Sequence, residues 1–368
     1  MGYGYWSKVK YKFGFLCFVA KKKKKVNGSC FEYFDEFYLL FVFSFFPVCR
    51  YFDKFYLCVH AQHATECEPR GDGISSRENL LENVVLRVCV WVVAVLACLG
   101  NVLVFLGRFL LREDNQIHSF FIKNLSLADM LMGVYLVVIG SQDIKFRGEY
   151  ILHDEEWRNS RECDISGVLS TLSTEMSVLT LCIITLDRYI SIMYPLSFRK
   201  RGLKAAYGAM GCTWLICIML ALLPVMGFQY FGTSFYRDNG VCVPLHIHEP
   251  RARGWEYSSF LFLGINLASF GFIAYAYTAM FWSIHKSAIP LRTSRESKER
   301  CLVKRFFFIV ITDFLCWIPI IIIKVIALSG ESSEAHSACV CVCACVRACA
   351  CECVSVCVCV CARICVCV

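Results

Sequence analysis

Six stretches of this chain run for 20 or more residues with scarcely a charge: about 84–106, 120–144, 165–193, 205–228, 257–284 and 306–328. Each is long enough to cross the hydrocarbon of a bilayer, which takes about 20 residues. Lipid offers the backbone no hydrogen-bond partner, so each stretch is predicted to be a helix that satisfies its own N–H and C=O groups. A soluble domain can hide one apolar core, but not six runs of this kind. The pattern therefore predicts an all-α integral membrane protein whose chain crosses the lipid bilayer repeatedly.

Charge sets the expected orientation. The segment after the third stretch carries Arg199, Lys200, Arg201 and Lys204, and the segment after the fifth carries Lys286, Arg292, Arg295, Lys298, Arg300, Lys304 and Arg305. The alternate segments, 141–162 and 229–256, mix both signs, and the first is net acidic. Lys and Arg concentrate in cytoplasmic loops, so the basic segments are expected in the cytosol and the first span is expected to start outside. The formal charge of +8 then reads as topology and gives no reason to expect a nucleic-acid partner. The Lys21–Lys25 run lies about 60 residues before the first span, at the edge of the range over which that rule acts.

Both ends differ from the middle. From Ala338 to Val368 the chain alternates Val or Ala with Cys and holds twelve cysteines. A period of two is compatible with a strand, and closely spaced cysteines can take soft metals. A dinucleotide GT repeat read in frame gives the same Val-Cys alternation, so low-complexity sequence is the plainer reading; the tract is apolar enough that insertion in the membrane stays open. Residues 1–65 are rich in Phe, Tyr and Lys without a usable period. The apolar run Phe13–Ala20 is followed by five lysines where a small-residue cleavage site would lie, which argues against a secretory signal peptide.

The most specific chemistry lies in TLDRYISIMYPL, where Asp187, Arg188 and Tyr189 close the third apolar stretch. Adjacent charges at a membrane boundary are costly unless they pair or face a polar partner. Cys163 lies about 37 Å of helix above Arg188, close to a whole bilayer with its interfaces. This arrangement resembles the third helix of rhodopsin-like G-protein-coupled receptors. Trp214 and Pro224 in the fourth stretch, and Cys316, Trp317, Ile318 and Pro319 in the sixth, match that superfamily as well. A proline there kinks the helix by removing a backbone hydrogen bond, and Trp317 beside it can register changes in packing. An ordinary core tryptophan next to a kink is the alternative.

Polar groups inside the spans extend the resemblance. Asn101 follows Gly100 in the first span, Asp129 sits in LSLADML in the second, and Ser177 lies in the third, three turns before Arg188. They could simply hold helices together. The resemblance implies a hydrated, sodium-like cation site made by Asn101, Asp129 and Ser177, since an intramembrane carboxylate needs a proton or a counter-ion. Asp313, four residues before Trp317, and Glu175, midway along the third span, add two acids to the bundle. With Trp317 and Pro319 they form the expected activation switch. Cys163 and Cys242 both fall outside on the derived topology, and the superfamily spacing implies a disulfide between them; two free thiols are the alternative. Trp157 resembles the superfamily's loop tryptophan, or is an interfacial aromatic.

No P-loop, HExxH or G-x-S-x-G pattern occurs, so no enzyme is expected, and no cofactor. His246 and His248 could touch a metal, but a solvated loop pair is the simpler reading.

The resemblance narrows in ENLLENVVLRVCVWVV (78–93), ADMLMGVYLVVIG (128–140), IKFRGEY (144–150), LSTEMSVL (172–179), NGVCVPLH (239–246), FLGINLA (262–268) and KRFFFIVITDFLCWIPI (304–320). These are similar to the relaxin-family peptide receptors, the leucine-rich-repeat receptors related to the glycoprotein-hormone receptors. Asp313 and the lack of a proline near Ser269 in the fifth span fit that branch. The resemblance implies a rhodopsin-like helical bundle at 84–328 and an extracellular hinge remnant at 66–83. Six transmembrane helices are recognisable, and the Val/Cys tract at 329–368 stands where a seventh with its NPxxY motif is expected. It further implies a receptor for a relaxin-like peptide hormone, coupling through Asp187, Arg188 and Tyr189 to a heterotrimeric G protein, often raising cyclic AMP, at the plasma membrane. No LxxLxLxxN repeat is found, nor a low-density-lipoprotein-receptor-type module. The chain as given is therefore expected to be impaired, held in the endoplasmic reticulum and silent to hormone. The alternatives are a non-signalling six-span fragment that forms a dimer with full-length receptors, and a transporter suggested by the intramembrane acids alone.

Overall fold

A computed structural model describes residues 74–110, 115–194, 202–232, 235–245 and 253–286, together with 321–322, 324–325 and short pieces at 11–12, 15–16, 18–19, 49–51 and 66–68. Five helices in it are long and apolar enough to cross a membrane: Val84–Leu110, Gln116–Lys145, Arg161–Met193, Leu203–Val225 and Trp255–Ser283. They coincide with the first five apolar stretches. Of the sixth only Ile321–Ile322 and Lys324–Val325, both helical, are described.

The chain divides into two compact units, Met1–Asn83 with Asp143–Glu156, and Val84–Gln142 with Trp157–Val368. In the first unit five short strands are described: β1 (Tyr11–Lys12) pairs antiparallel with β2 (Phe15–Leu16), and β3 (Phe18–Val19), β4 (Cys49–Tyr51) and β5 (Glu66–Glu68) form a parallel set in that order. Segment 74–83 is tied to segment 143–156 by backbone bonds: Gly148 N–H donates to Glu78 O at 2.7 Å and Ile151 N–H to Arg77 O at 2.9 Å. Leu81 N–H donates to Asp143 Oδ1 at 2.9 Å. Leu80 and Leu81 are buried.

In the second unit the third span is the axis. Over half of its most apolar window is buried, 56 %, against 6 % for the first span, whose valines and leucines stay exposed as lipid contact requires. Its core partners come from the second, fourth and fifth spans: Phe121 and Ala128, Met210 and Cys217, and Ile273, Tyr277 and Met280 pack with Met176, Leu181 and Ile184. The third span starts where Ser160, in extended conformation, accepts a bond from Cys163 N–H at 3.2 Å. Such a cap satisfies one of the orphan donors of the first turn, and Glu162 and Asp164 there complement the positive end of the helix. The span ends at Met193, two residues before Pro195, which disfavours helix in the residue that precedes it.

Sequence and structure differ at three places. Segment 141–162, expected as a loop, is helical up to Lys145 and again over Tyr150–Arg158. The fourth span stops earlier than residue 228: its α-helix closes at Leu222, and Pro224 sits in a 3₁₀ turn, Leu223–Val225, followed by Gly227 at φ +84°. The first and fifth spans each contain a π-helical turn, Leu96–Gly100 and Phe260–Asn266, an insertion that apolar periodicity does not reveal.

Candidate functional site

At the Tyr194 end of the third span, Arg188 is 2 % exposed. Its Nη2 lies 3.4 Å from Asp187 Oδ2, and Ser191 Oγ donates to Asp187 O at 2.7 Å. Thr185 one turn earlier and Tyr277 of the fifth span are buried. The Tyr189 ring sits 6.4 Å from Tyr275. Asp187, Arg188 and Tyr189 therefore share one helix end, with the guanidinium turned inward beside its own neighbour.

Halfway along the bundle, Ser177 Oγ donates to Asp129 Oδ1 at 2.6 Å, joining the third span to the second. Ser173, one turn away, donates to Ala128 O at 2.8 Å. The Asn101 amide behaves differently: its Nδ2 donates to Ala97 O of its own helix at 2.9 Å, across the π turn. A hard monovalent cation takes carboxylate and hydroxyl oxygens, and Asp129 and Ser177 offer both side by side. Those two residues supply two of the oxygens such an ion would need, while Asn101 is turned to its own helix. Glu175 sits on another side of the third span, where its Oε1 accepts from Asn266 Nδ2 at 3.3 Å.

At the opposite end, Cys163 and Cys242 are joined by a disulfide, Cα atoms 5.4 Å apart and 79 residues apart in sequence. Donors from several elements converge on the carbonyls around it. Tyr135 of the second span reaches Val241 O at 2.8 Å and Trp157 Nε1 reaches Gly240 O at 2.7 Å. Lys324 Nζ reaches Leu245 O at 2.9 Å. Ser258 of the fifth span donates to Pro244 O and accepts from Lys324. Arg237 Nε donates to Asp164 Oδ1 at 2.9 Å, which holds that guanidinium above its ordinary value. Phe231, Phe235 and Tyr236 pack beneath, against Val168, Leu223 and Tyr257, and burial raises the Tyr236 phenol above its usual range.

Asp313, Trp317 and Pro319, like His246 and His248, lie outside the described residues. Among the described residues, no group of three or more His, Cys, Asp or Glu could hold a metal ion. Sequence reasoning missed Asn124, which accepts from Trp214 Nε1 at 3.0 Å, as well as Asn266 and Lys324. Their signal was present: each is a polar side chain inside an apolar run, a position where an unsatisfied group is expensive.

An inward arginine at one helix end, a disulfide-tied loop at the other and a serine–aspartate pair between them define a helical membrane receptor body. The model of the 7 transmembrane receptor (rhodopsin family) matches residues 100–361, running past Gly330 into the Val/Cys tract. The chain belongs to that family. Its membrane body is of the relaxin-receptor type: it is 44 % identical to Relaxin receptor 1 of Homo sapiens over 281 residues, 76 % of this chain and 37 % of that receptor. Against the G-protein coupled receptor GRL101 of Lymnaea stagnalis it is 43 % identical over 282 residues, 77 % of this chain and 25 % of that one. The Thyrotropin receptor of Sus scrofa matches at 30 % over 266 residues, 72 % of this chain and 33 % of that receptor. The chain thus spans between 25 % and 37 % of the length of these relatives.

Proposed function

We propose that this membrane body receives an extracellular signal of the relaxin-like peptide-hormone class and passes it to a heterotrimeric G protein, raising cyclic AMP. The observation that carries the reading is the buried Arg188, paired with Asp187 at 3.4 Å, at the helix end opposite the Cys163–Cys242 disulfide. On this reading the disulfide end faces outside and the Arg188 end faces the cytosol, at the plasma membrane. Asp187 restrains the arginine at rest, and release frees it to meet the G protein. Asp129 and Ser177 hold a sodium-like cation that favours the resting arrangement. Glu175, Asp313, Trp317 and Pro319 relay packing changes along the bundle.

The test is cyclic AMP output in cells that express the full chain. Arg188→Ala is expected to abolish output while surface expression is kept. Unchanged output from Arg188→Ala at equal surface level would remove this end of the molecule from coupling.

A further inference from the structure

Glu175 is the acid that the receptor reading uses least specifically, and its surroundings are the most informative. It is 1 % exposed, and Asn266, its partner across the seam between the third and fifth spans, is 0 % exposed. A single bond joins them, from Asn266 Nδ2 to Glu175 Oε1 at 3.3 Å. Among the described residues, Glu175 Oε2 and Asn266 Oδ1 make no hydrogen bond. Both orphaned atoms are acceptors. An ionised carboxylate donates nothing, and an amide oxygen donates nothing, so no rotation of an ionised pair can satisfy both.

One proton resolves the mismatch. A carboxylic acid donates through its O–H to an amide oxygen while its carbonyl oxygen accepts from the amide N–H, a closed two-bond pair. Among the described residues, the titratable groups near enough to feel Glu175 are Cys217 of the fourth span, Tyr236 of the loop and Tyr257 at the start of the fifth span. All three are weak acids, neutral at ordinary pH, and none can serve as a counter-ion. A buried carboxylate without a counter-ion is driven towards its neutral form.

The backbone reinforces the placement. Asn266 is the last residue of the π-helical turn Phe260–Asn266, formed without a proline in that run. Turns of this kind concentrate at functional positions. Further along the same seam, Cys182 Sγ donates to Ser269 O at 3.9 Å, and Ile184 packs with Ile273 and Tyr277.

We propose that Glu175 is held as a neutral carboxylic acid and forms with Asn266 a proton-closed latch between the third and fifth spans. The proton is the ligand of this latch. The seam is firmest while the acid keeps its proton, because only the neutral acid can donate to Asn266 Oδ1. That contribution is lost as pH rises and the proton leaves for solvent. A carboxylate there has one weak bond and no cation, so deprotonation loosens the seam at the π turn.

The proposal needs neither hormone nor G protein, and its test reads neither. Infrared spectra of the full chain in lipid nanodiscs at neutral pH would be compared between wild type and Glu175→Gln. The expected difference is the loss of a carbonyl-stretch band of a protonated carboxylic acid. In Asn266→Leu that band is expected to remain but shift, because the acid loses its acceptor. The melting temperature of wild type should fall from mildly acidic to mildly alkaline buffer by more than that of Glu175→Gln, whose amide is neutral throughout. Loss of carboxylate bands alone in Glu175→Gln would overturn the proposal. So would failure of that variant to fold where wild type folds, since glutamine reproduces the shape and neutrality of the protonated acid.

Discussion

Cys242 adopts φ 57°, a left-handed conformation that costs a residue with a Cβ roughly 1–2 kcal/mol. Its bond to Cys163 and the turn bond from its own N–H to Asn239 O at 3.1 Å hold it there. Closing a 79-residue span of chain restricts the unfolded state by about 4.5 kcal/mol in the chain-entropy picture. Mass spectrometry of non-reduced peptides is expected to find the two cysteines linked, and recovery of both as alkylated thiols without reduction would contradict this. Asp129 and Ser177 carry the second prediction at this scale. Sodium chloride, compared with choline chloride at equal ionic strength, should raise the melting temperature of the wild-type chain. A cation at ten times its dissociation constant adds about 1.4 kcal/mol, worth roughly 2–4 °C per kcal/mol in a body of this size. Asp129→Asn should abolish the rise, and an equal rise in that variant would take the ion away from this pair. The sequence set Asn101, Asp129 and Ser177 together, as helix glue or as the cation site the resemblance implies, and the structure joins Asp129 to Ser177 while Asn101 bonds its own helix. The Asn266–Glu175 contact was not legible in the sequence, because which face of the fifth span Asn266 occupies depends on a π turn that leaves no trace in composition.

Between elements, small residues decide how closely helices approach, since lipid supplies no hydrophobic force to press them together. Gly133 in the second span is the clearest case: a Cβ there would lie 2.6 Å from Cys98 Sγ and 3.0 Å from the Cys98 backbone nitrogen. Gly140, two turns on, faces Trp91, whose Cε2 would be 2.9 Å away. Gly133→Val should therefore force the first span off the second and destabilise the body by about 1–3 kcal/mol, the usual cost of overpacking. Gly208, with open space around its Cβ position, should tolerate alanine. Thermal melting in detergent checks both, and equal melting temperatures for the two variants would show that the seam is not close-packed. Five spans were legible because each is an apolar run longer than a bilayer is thick. Loop segment 141–162 was misread because Tyr150–Arg158 is polar and short, so its helix rests on local contacts such as Tyr150 OH to Asp154 Oδ1 at 2.6 Å and not on a buried stripe.

At the scale of the whole molecule, the polar groups fall into three tiers along the second unit: the Arg188 end, the Asp129–Ser177 and Glu175–Asn266 contacts, and the loop tied by Cys163–Cys242. The first and last tiers were expected from the resemblance to rhodopsin-like receptors, together with the spacing that sets Cys163 and Arg188 one bilayer apart on a single helix. The contacts of Lys324 were not, since its partners Leu245 and Ser258 are more than sixty residues away and only folding brings them together. The central claim is that the Asp187–Arg188 pair restrains coupling. The direct measurement is the rate of nucleotide exchange on a purified heterotrimeric G protein, catalysed by the full chain in lipid nanodiscs without hormone. Asp187→Asn removes the partner that holds Arg188 and should raise the rate roughly 5-fold or more, the lower end of ordinary allosteric coupling. Exchange by Asp187→Asn no faster than by wild type, with both proteins folded, would contradict the account.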